Sequence, residues 1–168
     1  DYTLWGSFPI GLLFFLTFVG GCAGSTACGI KVFRFQILYA MATVQVRRII
    51  YPHAVIVPRY NGSRIEDEII LSVWGFFFLF FMCFAALSLG LSVTGLDLVT
   101  SLSSAATAMS NVGPGFGPIV GPSGTFETLP SAAKWLLSAG MLTGRLEVFT
   151  VIVIFSRTFW NEGAKVFS

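Results

Sequence analysis

Three long stretches of the sequence carry no charged residue, and each exceeds the roughly 20 residues that cross a bilayer as an α-helix. Their ranges are 2–30, 69–96 and 98–126. A fourth apolar stretch, residues 132–159, is interrupted by Arg145 and Glu147. The whole chain is 55% hydrophobic and 11% charged, whereas about 25% of the residues of a typical soluble domain are charged. These stretches predict a membrane protein made of helices.

The distribution of charge predicts the orientation of the chain. Six basic residues follow the first stretch before any acid occurs, and they are Lys31, Arg34, Arg47, Arg48, Arg59 and Arg64. The polar segment between positions 121 and 134 holds only Glu127 and Lys134. Because basic residues accumulate on the cytoplasmic side, we predict that residues 31–68 are cytoplasmic and that residues 116–133 are external.

This orientation creates a geometric problem between the second and the last stretch. Residues 92–127 are too hydrophobic for an external loop, yet the last span must also start outside. The segment must therefore enter the membrane and return on the same side. We predict a short amphipathic helix over residues 94–110, with Asp97 in its first turn, and a returning loop, NVGPGFG, over residues 111–117. Non-helical backbone at membrane depth requires protein or water around it, so the pattern indicates a pore.

Span, re-entrant helix, loop and span form the repeat of potassium channels, in which backbone carbonyls replace the hydration shell of the ion. Glycine suits such a loop because it adopts positive φ angles at little cost. We place the filter backbone at Asn111, Val112 and Gly113, with Pro114 and Gly115 turning the chain outward. The alternative is an ordinary external loop, since glycine and proline mark loops generally. The uncharged stretch before it favours the filter.

A second break in the helical pattern lies in the first stretch. Residues 20–29, GGCAGSTACG, hold a helix less firmly than the Leu and Phe residues before them. A gapless comparison places Gly24 opposite Gly140, which suggests that the first and last helices are copies of one unit. Gly20 and Gly24, like Gly140 and Gly144, are also spaced for close helix contacts, which is the alternative interpretation.

The predicted fold is an all-α membrane protein that holds the end of one M1–pore helix–M2 repeat and one complete repeat. Residues 1–51 form the inner helix of the preceding repeat, broken at 20–29, and residues 52–68 form a cytoplasmic connection. The complete repeat covers residues 69–160, followed by a cytoplasmic C-terminus at 161–168. Its parts are M1 at 69–91, the pore helix at 96–110, the filter at 111–115 and M2 at 132–160. The chain starts with Asp1 and no basic segment or cleavage site precedes the first stretch, so we expect a span rather than a signal peptide, within a longer protein.

The segments GGCAGSTACGIKVFRF, SNVGPGFG and MLTGRLEVF resemble the Trk branch of the Trk/Ktr/HKT cation transporters, and specifically the pore subunit of bacterial Trk potassium uptake. The resemblance covers nearly the whole chain and assigns it to the end of the third repeat and all of the fourth. It implies K+ as the transported ion, a multi-pass location in the bacterial inner membrane, a homodimer, and a cytosolic nucleotide-binding regulatory subunit of the RCK/KTN type. We expect the regulatory subunit to bind the basic segment 31–65.

The resemblance also assigns roles to individual positions. The ion-binding filter backbone comprises Ser110, Asn111, Val112, Gly113 and Pro114, with K+ held by Asn111, Val112 and Gly113. Residues 20–29 resemble an intramembrane loop that obstructs the pore until the regulator acts, and its gating residues are Gly20, Gly21, Gly24, Ser25, Thr26 and Gly29. Arg145 matches an arginine that projects into the pore below the filter. Ala27 and Cys28 stand where many relatives carry glycine, which implies a stiffer loop.

Several other classes of protein are disfavoured. One histidine and scattered hydroxyls in apolar stretches do not provide the catalytic groups of an enzyme, and the few basic residues do not suggest a nucleic-acid partner. The three cysteines have no metal-binding spacing, so we expect small buried apolar side chains and no bound cofactor. The alternative to a pore role for Arg145 is a structural bridge to another repeat. The competing function is a non-transporting membrane scaffold that assembles through small-residue helix contacts.

Overall fold

The computed structural model describes residues 5–54 and 56–146. This part of the chain contains five α-helices and a short hairpin. The helices are α1 (Ser7–Leu16), α2 (Val32–Ile50), α3 (Asp67–Val93), α4 (Leu98–Ser110) and α5 (Ser131–Arg145). Strand β1 (Arg59–Tyr60) pairs antiparallel with β2 (Ser63–Arg64). A 3-10 turn, Phe126–Thr128, precedes α5.

Helix α3 is the described helix that is long and apolar enough to cross a membrane. Its 27 residues correspond to a length of about 40 Å at 1.5 Å per residue. Asp67 and Glu68 lie in its first turn, where negative charge is favourable to the helix dipole. Its range contains the predicted M1 span, 69–91, and extends two residues further at each end.

Helix α4 begins later than the sequence indicated. Asp97 is the residue before the helix and not part of its first turn, and its carboxylate accepts a hydrogen bond from the backbone N–H of Thr100 at 3.1 Å. A carboxylate before the first turn pairs an amide that has no partner within the helix, which fixes the start at Leu98. Ten of the thirteen residues of α4 are buried, and many of them are hydroxyl residues or alanine.

Helix α4 is buried because apolar clusters cover it on two sides. Ala106 and Met109 pack with Phe18, Phe76 and Phe80. Ala105 and Ala108 belong to the second cluster, with the apolar residues Leu91, Val120, Leu129, Ala133 and Leu137. Alanine on both sides lets the neighbouring helices approach closely, so that α3 and α5 enclose the short helix.

Helix α5 packs closely at two glycines, with Gly144 against the backbone of α4 and Gly140 against a side chain of α3. A Cβ atom at Gly144 would overlap the carbonyl oxygen of Met109, and one at Gly140 would lie 2.6 Å from Cδ2 of Leu87. The spacing of Gly140 and Gly144 therefore serves packing within this chain.

The hairpin adds strands to a chain that the sequence predicted to be all-α. Asn61 and Gly62 have φ angles of 49° and 83°, as a two-residue hairpin turn requires. The hydroxyl of Tyr60 donates a hydrogen bond to the side-chain oxygen of Gln36 at 3.0 Å, which ties the hairpin to α2. An Asn-Gly pair is typical of such a turn, but the strands are only two residues long and carry no alternating pattern.

The break between the first two helices is longer than the predicted range 20–29, because α1 ends at Leu16 and α2 begins at Val32. The predicted inner helix 132–160 corresponds to α5 over its first part, and positions from 147 onward, including Glu147, lie outside the described residues. Burial of all three cysteines was a wrong expectation, because Cys22 is exposed on the loop between α1 and α2.

Candidate functional site: a cleft between two broken segments

The loop over residues 20–29, here called the glycine loop, is closed at its base by backbone hydrogen bonds. The N–H of Gly20 donates to the carbonyl of Ile30 at 2.9 Å, and the N–H of Ile30 donates to the carbonyl of Phe18 at 2.8 Å. The N–H of Val32 donates to the carbonyl of Gly21 at 3.1 Å. The loop is thus a compact excursion whose ends are fixed between α1 and α2.

Glycine is required at two points of this loop by close approach or backbone angle. A Cβ atom at Gly20 would overlap the carbonyl oxygen of Cys28, on the opposite side of the loop base. Gly29 has a φ of +82°, which L-residues rarely adopt. Ser25 stabilises the tip, because its hydroxyl accepts a hydrogen bond from the N–H of Ala27 at 2.9 Å. Gly24, in contrast, faces open space.

The segment after α4 changes direction through two residues with positive φ. Asn111 adopts the left-handed conformation, with φ 50° and ψ 41°, and Gly113 has a φ of +108°. The side-chain amide of Asn111 donates to the carbonyl of Met141 at 3.0 Å, and the N–H of Val112 donates to the carbonyl of Thr107 at 3.1 Å. The turn is therefore tied to both α4 and α5.

This turn presents main-chain oxygens that the described part of the chain does not pair. The carbonyls of Asn111, Val112 and Gly113 accept no hydrogen bond from it, and all three residues are exposed. The carbonyl of Pro114 differs, since it accepts a hydrogen bond from the hydroxyl of Thr107 at 3.2 Å. The hydroxyl of Ser110 is buried without a partner among these residues. The unpaired oxygens lie beside the carboxyl end of α4, where the helix dipole is negative, so the environment favours a cation.

Residues 114–117 then run back along α4. The N–H of Phe116 donates to the hydroxyl oxygen of Ser103, and Gly117 lies near Val99 and Thr100. The chain therefore returns to the level of the first turn of α4 within a few residues of leaving its last turn. Ser103 and Thr107 were not predicted as site residues from the sequence, although their spacing of four places both hydroxyls on one helix face.

Arg145 approaches the site from the end of α5. Its Nη1 donates a hydrogen bond to the carbonyl of Thr26 at 3.1 Å and lies 3.7 Å from the Sγ atom of Cys28. The guanidinium is therefore in direct contact with the glycine loop. The contact of Gly144 with Met109 places this end of α5 next to the last turn of α4.

These elements enclose one cleft of about 470 Å³. It is lined by Leu16, Thr17, Val19, Gly20, Gly21, Ala27, Cys28, Ser110, Asn111, Val112 and Arg145. Segments that are far apart in the sequence thus share one space, with unpaired carbonyls on one side and the glycine loop and a guanidinium on the other.

The other predicted residues lie around this cleft and do not line it. Ser25, Thr26 and Gly29 line a neighbouring cavity of about 250 Å³, together with Lys31 and Arg145. Gly113 and Pro114 follow Val112 in the turn without lining the cleft, and Gly24 is exposed in the glycine loop. Over residues 5–54 and 56–146, no cluster of three or more His, Cys, Asp or Glu side chains could hold a metal ion.

A long apolar helix, a short buried helix and a cleft between two broken segments are typical of a helical integral membrane protein. The chain belongs to the TrkH family of cation transport proteins, whose sequence profile matches residues 1–162.

Its relatives include the Trk system potassium uptake protein TrkI of Halomonas elongata, which is 51% identical over 162 residues, or 96% of this chain and 33% of the relative. The Trk system potassium uptake protein TrkH of Escherichia coli K12 is 37% identical over 158 residues, which are 94% of this chain and 32% of that protein. The crystal structure of the potassium transporter TrkH from Vibrio parahaemolyticus matches with a TM-score of 0.84 at 37% identity, over 95% of this chain and 33% of that one. The chain therefore spans about a third of the length of these relatives.

Proposed function

We propose that this chain forms part of the ion pathway of a Trk-type system that takes up K+ across the bacterial inner membrane. The observation that carries the proposal is the row of unpaired carbonyls at Asn111, Val112 and Gly113 beside the carboxyl end of α4. A dehydrated K+ needs several oxygen ligands, and main-chain carbonyls aimed at a common axis provide them. Equivalent segments of the other repeats would complete the ring.

The path of the chain around α4 supports a re-entrant arrangement. Helix α4 has 13 residues, or about 20 Å, which is shorter than the roughly 30 Å hydrocarbon core of a bilayer. The return of residues 114–117 along α4 brings the chain back toward the side from which the helix started. In this proposal α3 is M1, α4 is the pore helix, Ser110 to Pro114 form the filter segment and α5 begins M2.

The glycine loop and Arg145 form the gate in this proposal. The loop faces the turn after α4 across the cleft, and the guanidinium binds the loop at Thr26. A fixed positive charge next to the ion path raises the electrostatic barrier to K+. Movement of the loop away from the cleft would break the bond to Arg145 and open the path.

The proposed partners follow the family resemblance of the sequence and the charge of the chain. We place a cytosolic nucleotide-binding regulatory subunit against the basic segment 31–65, where Arg47 and Arg48 are exposed at the end of α2. Arg59 and Arg64 of the hairpin extend this basic surface. The complete protein would act as a homodimer.

The scaffold alternative loses its main support at α5. It relied on small residues that were free to contact another helix, yet Gly140 and Gly144 pack against Leu87 and Met109 of this chain.

The experiment uses a chimaeric transporter in which residues 1–162 of this chain replace the matching third of the Halomonas elongata relative. K+ and Na+ uptake are measured in a bacterial strain that lacks its own K+ uptake systems. We expect the chimaera to take up K+ in preference to Na+, and Gly113→Ser to lower that preference, because a side chain at φ +108° strains the turn.

Gly95→Ser is the matched control for this substitution. Gly95 also has a positive φ, +90°, and also faces open space, but it lies between α3 and α4 outside the filter segment. We expect its uptake ratio to equal that of the parent chimaera. An unchanged ratio in Gly113→Ser, at equal amounts in the membrane, would count against the filter, and absence of uptake by the parent would count against the proposed function itself.

A further inference from the structure

Two hydroxyl side chains of α4 hold the backbone on both sides of the unpaired carbonyls. Ser103 and Thr107 lie one turn apart on the same face of α4, and their exposed fractions are only 3% and 2%. A hydroxyl in such a buried position is costly unless it is hydrogen-bonded. Both hydroxyls are bonded, and both partners are main-chain groups of the segment that returns from the turn.

Thr107 forms two hydrogen bonds with the turn, one to the residue before Gly113 and one to the residue after it. Its main-chain carbonyl accepts the N–H of Val112 at 3.1 Å, and its hydroxyl donates to the carbonyl of Pro114 at 3.2 Å. The second bond directs the Pro114 carbonyl toward α4, so the carbonyls of the three preceding residues are the ones that stay unpaired.

Ser103 fixes the next part of the returning segment. Its hydroxyl oxygen accepts the N–H of Phe116, and a Cβ atom at Gly115 would lie 2.7 Å from that oxygen. The N–H of Gly115 also donates to the carbonyl of Val120 at 2.7 Å, which anchors the segment from the other side. Gly115 is therefore needed for the segment to lie close enough to bond with Ser103.

We infer that Thr107 and Ser103 are positioning residues for ion selectivity, because they set the position of the carbonyls of Asn111, Val112 and Gly113 relative to α4. This inference rests on the proposed filter. Neither side chain contacts the ion. Their hydroxyls hold the returning segment, and release of that segment lets the carbonyls move and accommodate ions of other radii.

The test compares substitutions that remove a hydroxyl with one that keeps it. Thr107→Val in the chimaeric transporter keeps the shape of the side chain and removes the donor, whereas Thr107→Ser keeps the donor. Ser103→Ala removes the second hydroxyl. We expect the K+ to Na+ uptake ratio to fall about 2- to 10-fold in Thr107→Val and Ser103→Ala, the effect of one hydrogen bond, and to stay at the parent value in Thr107→Ser.

Ser104→Ala is the control for the loss of a buried hydroxyl as such. Ser104 lies on the same helix and is fully buried, but its hydroxyl has no hydrogen-bond partner within residues 5–54 and 56–146. We expect it to leave the uptake ratio unchanged. An equal fall in K+ and Na+ uptake in Thr107→Val and Ser103→Ala, with no change in their ratio, would overturn the inference and assign the hydroxyls to stability alone.

Hydrogen exchange separates this inference from the proposed function. We expect the backbone amides of residues 112, 113 and 115–117 in the purified chimaera to exchange faster in Thr107→Val and Ser103→Ala than in Ser104→Ala. Unchanged exchange at these amides would refute the positioning role. Faster exchange in a protein that transports no K+ would retain the positioning of the segment and reject the proposed filter.

Discussion

Arg145 and Thr26 are separated by 119 residues of sequence and joined by a hydrogen bond of 3.1 Å. The donor is the guanidinium at the end of α5, and the acceptor is a main-chain carbonyl of the glycine loop. The contact of the same nitrogen with Cys28 shows that the guanidinium lies against the loop itself. The last helix of the described chain therefore restrains the first broken segment.

Loss of this restraint should increase ion flux. We expect Arg145→Ala in the chimaeric transporter to raise the rate of Rb+ uptake about 2- to 10-fold, since the net contribution of one hydrogen bond of about 0.5–1.5 kcal/mol bounds the shift in the gating equilibrium. Removal of the positive charge acts in the same direction. Uptake is measured in membrane vesicles at equal protein amounts.

Lys134→Ala is the control for the loss of a basic residue on α5. Lys134 donates to the carbonyl of Glu127 at 2.6 Å and does not line the cleft. We expect its uptake rate to match the parent. A rate in Arg145→Ala equal to or below that of the parent would contradict the gating role.

The close contact between α5 and α4 predicts a large difference between two similar substitutions. Gly144→Ala places a methyl group on the backbone of Met109, which cannot move without shifting α4. Gly140→Ala meets the flexible end of the Leu87 side chain, which can rotate away. We expect Gly144→Ala to lower the free energy of unfolding by about 1–3 kcal/mol or more, as overpacking of a tight core does. Gly140→Ala should lower it less.

Thermal unfolding of the purified chimaera, followed by size-exclusion chromatography, measures this order. Gly24→Ala is the control because nothing lies within 4 Å of the position its Cβ would occupy. Equal losses of stability in the Gly144 and Gly140 variants would show that α5 and α4 are further apart at Gly144 than in this structure.

The sequence predicted the parts of this fold that depend on local composition. The uncharged stretch around α3 gave a helix whose range contains the predicted one, and the glycine-rich composition of residues 20–29 gave a break between two helices. Family membership was also predicted correctly, because the motifs of the glycine loop, the turn and α5 occur together. The roles of the filter segment, the gate and the regulatory partner stay predictions.

The features that the sequence did not indicate depend on contacts between distant segments. The bond from Ser103 to Phe116 requires knowledge of how the chain folds back on α4, and hydroxyls on a helix are equally compatible with other partners. The bond from Arg145 to Thr26 joins elements whose spacing no local pattern encodes. The predicted start of α4, at residue 94 or 96, was too early for another reason, since Asp97 is favourable both before and within a first turn.

Asn111 combines two functions that different substitutions can separate. It adopts a left-handed conformation, and its side-chain amide bonds to the carbonyl of Met141. Asn111→Gly keeps the conformational freedom and loses the bond, whereas Asn111→Ala loses both. We expect both variants to unfold at a lower temperature than the parent. The free energy of unfolding of Asn111→Ala should be lower than that of Asn111→Gly by about 1 kcal/mol, the cost of placing alanine in this conformation. Equal unfolding temperatures for the two variants would exclude a contribution from the backbone angle.

Asp97 makes the start of α4 sensitive to pH. Hydrogen bonding from Thr100 holds the pKa of Asp97 below its ordinary value of 3.8. A carboxyl whose pKa is lower in the folded than in the unfolded protein stabilises the fold above its unfolded pKa, and this contribution is lost as the pH falls through the folded value. The effect should therefore be complete at neutral pH and be lost progressively as the pH falls below 3.8 and through the lower folded pKa.

Two substitutions test this assignment in thermal unfolding experiments between neutral pH and pH 3. Asp97→Asn keeps a side-chain oxygen that can cap the helix but does not titrate, whereas Asp97→Ala loses the cap and should cost about 0.5–2 kcal/mol at neutral pH. We expect the parent to be more stable than Asp97→Asn at neutral pH and the difference to decrease as the pH falls below 3.8. A difference that stays constant over this range would show that the charge of Asp97 does not contribute, and that the cap acts through its oxygen geometry alone.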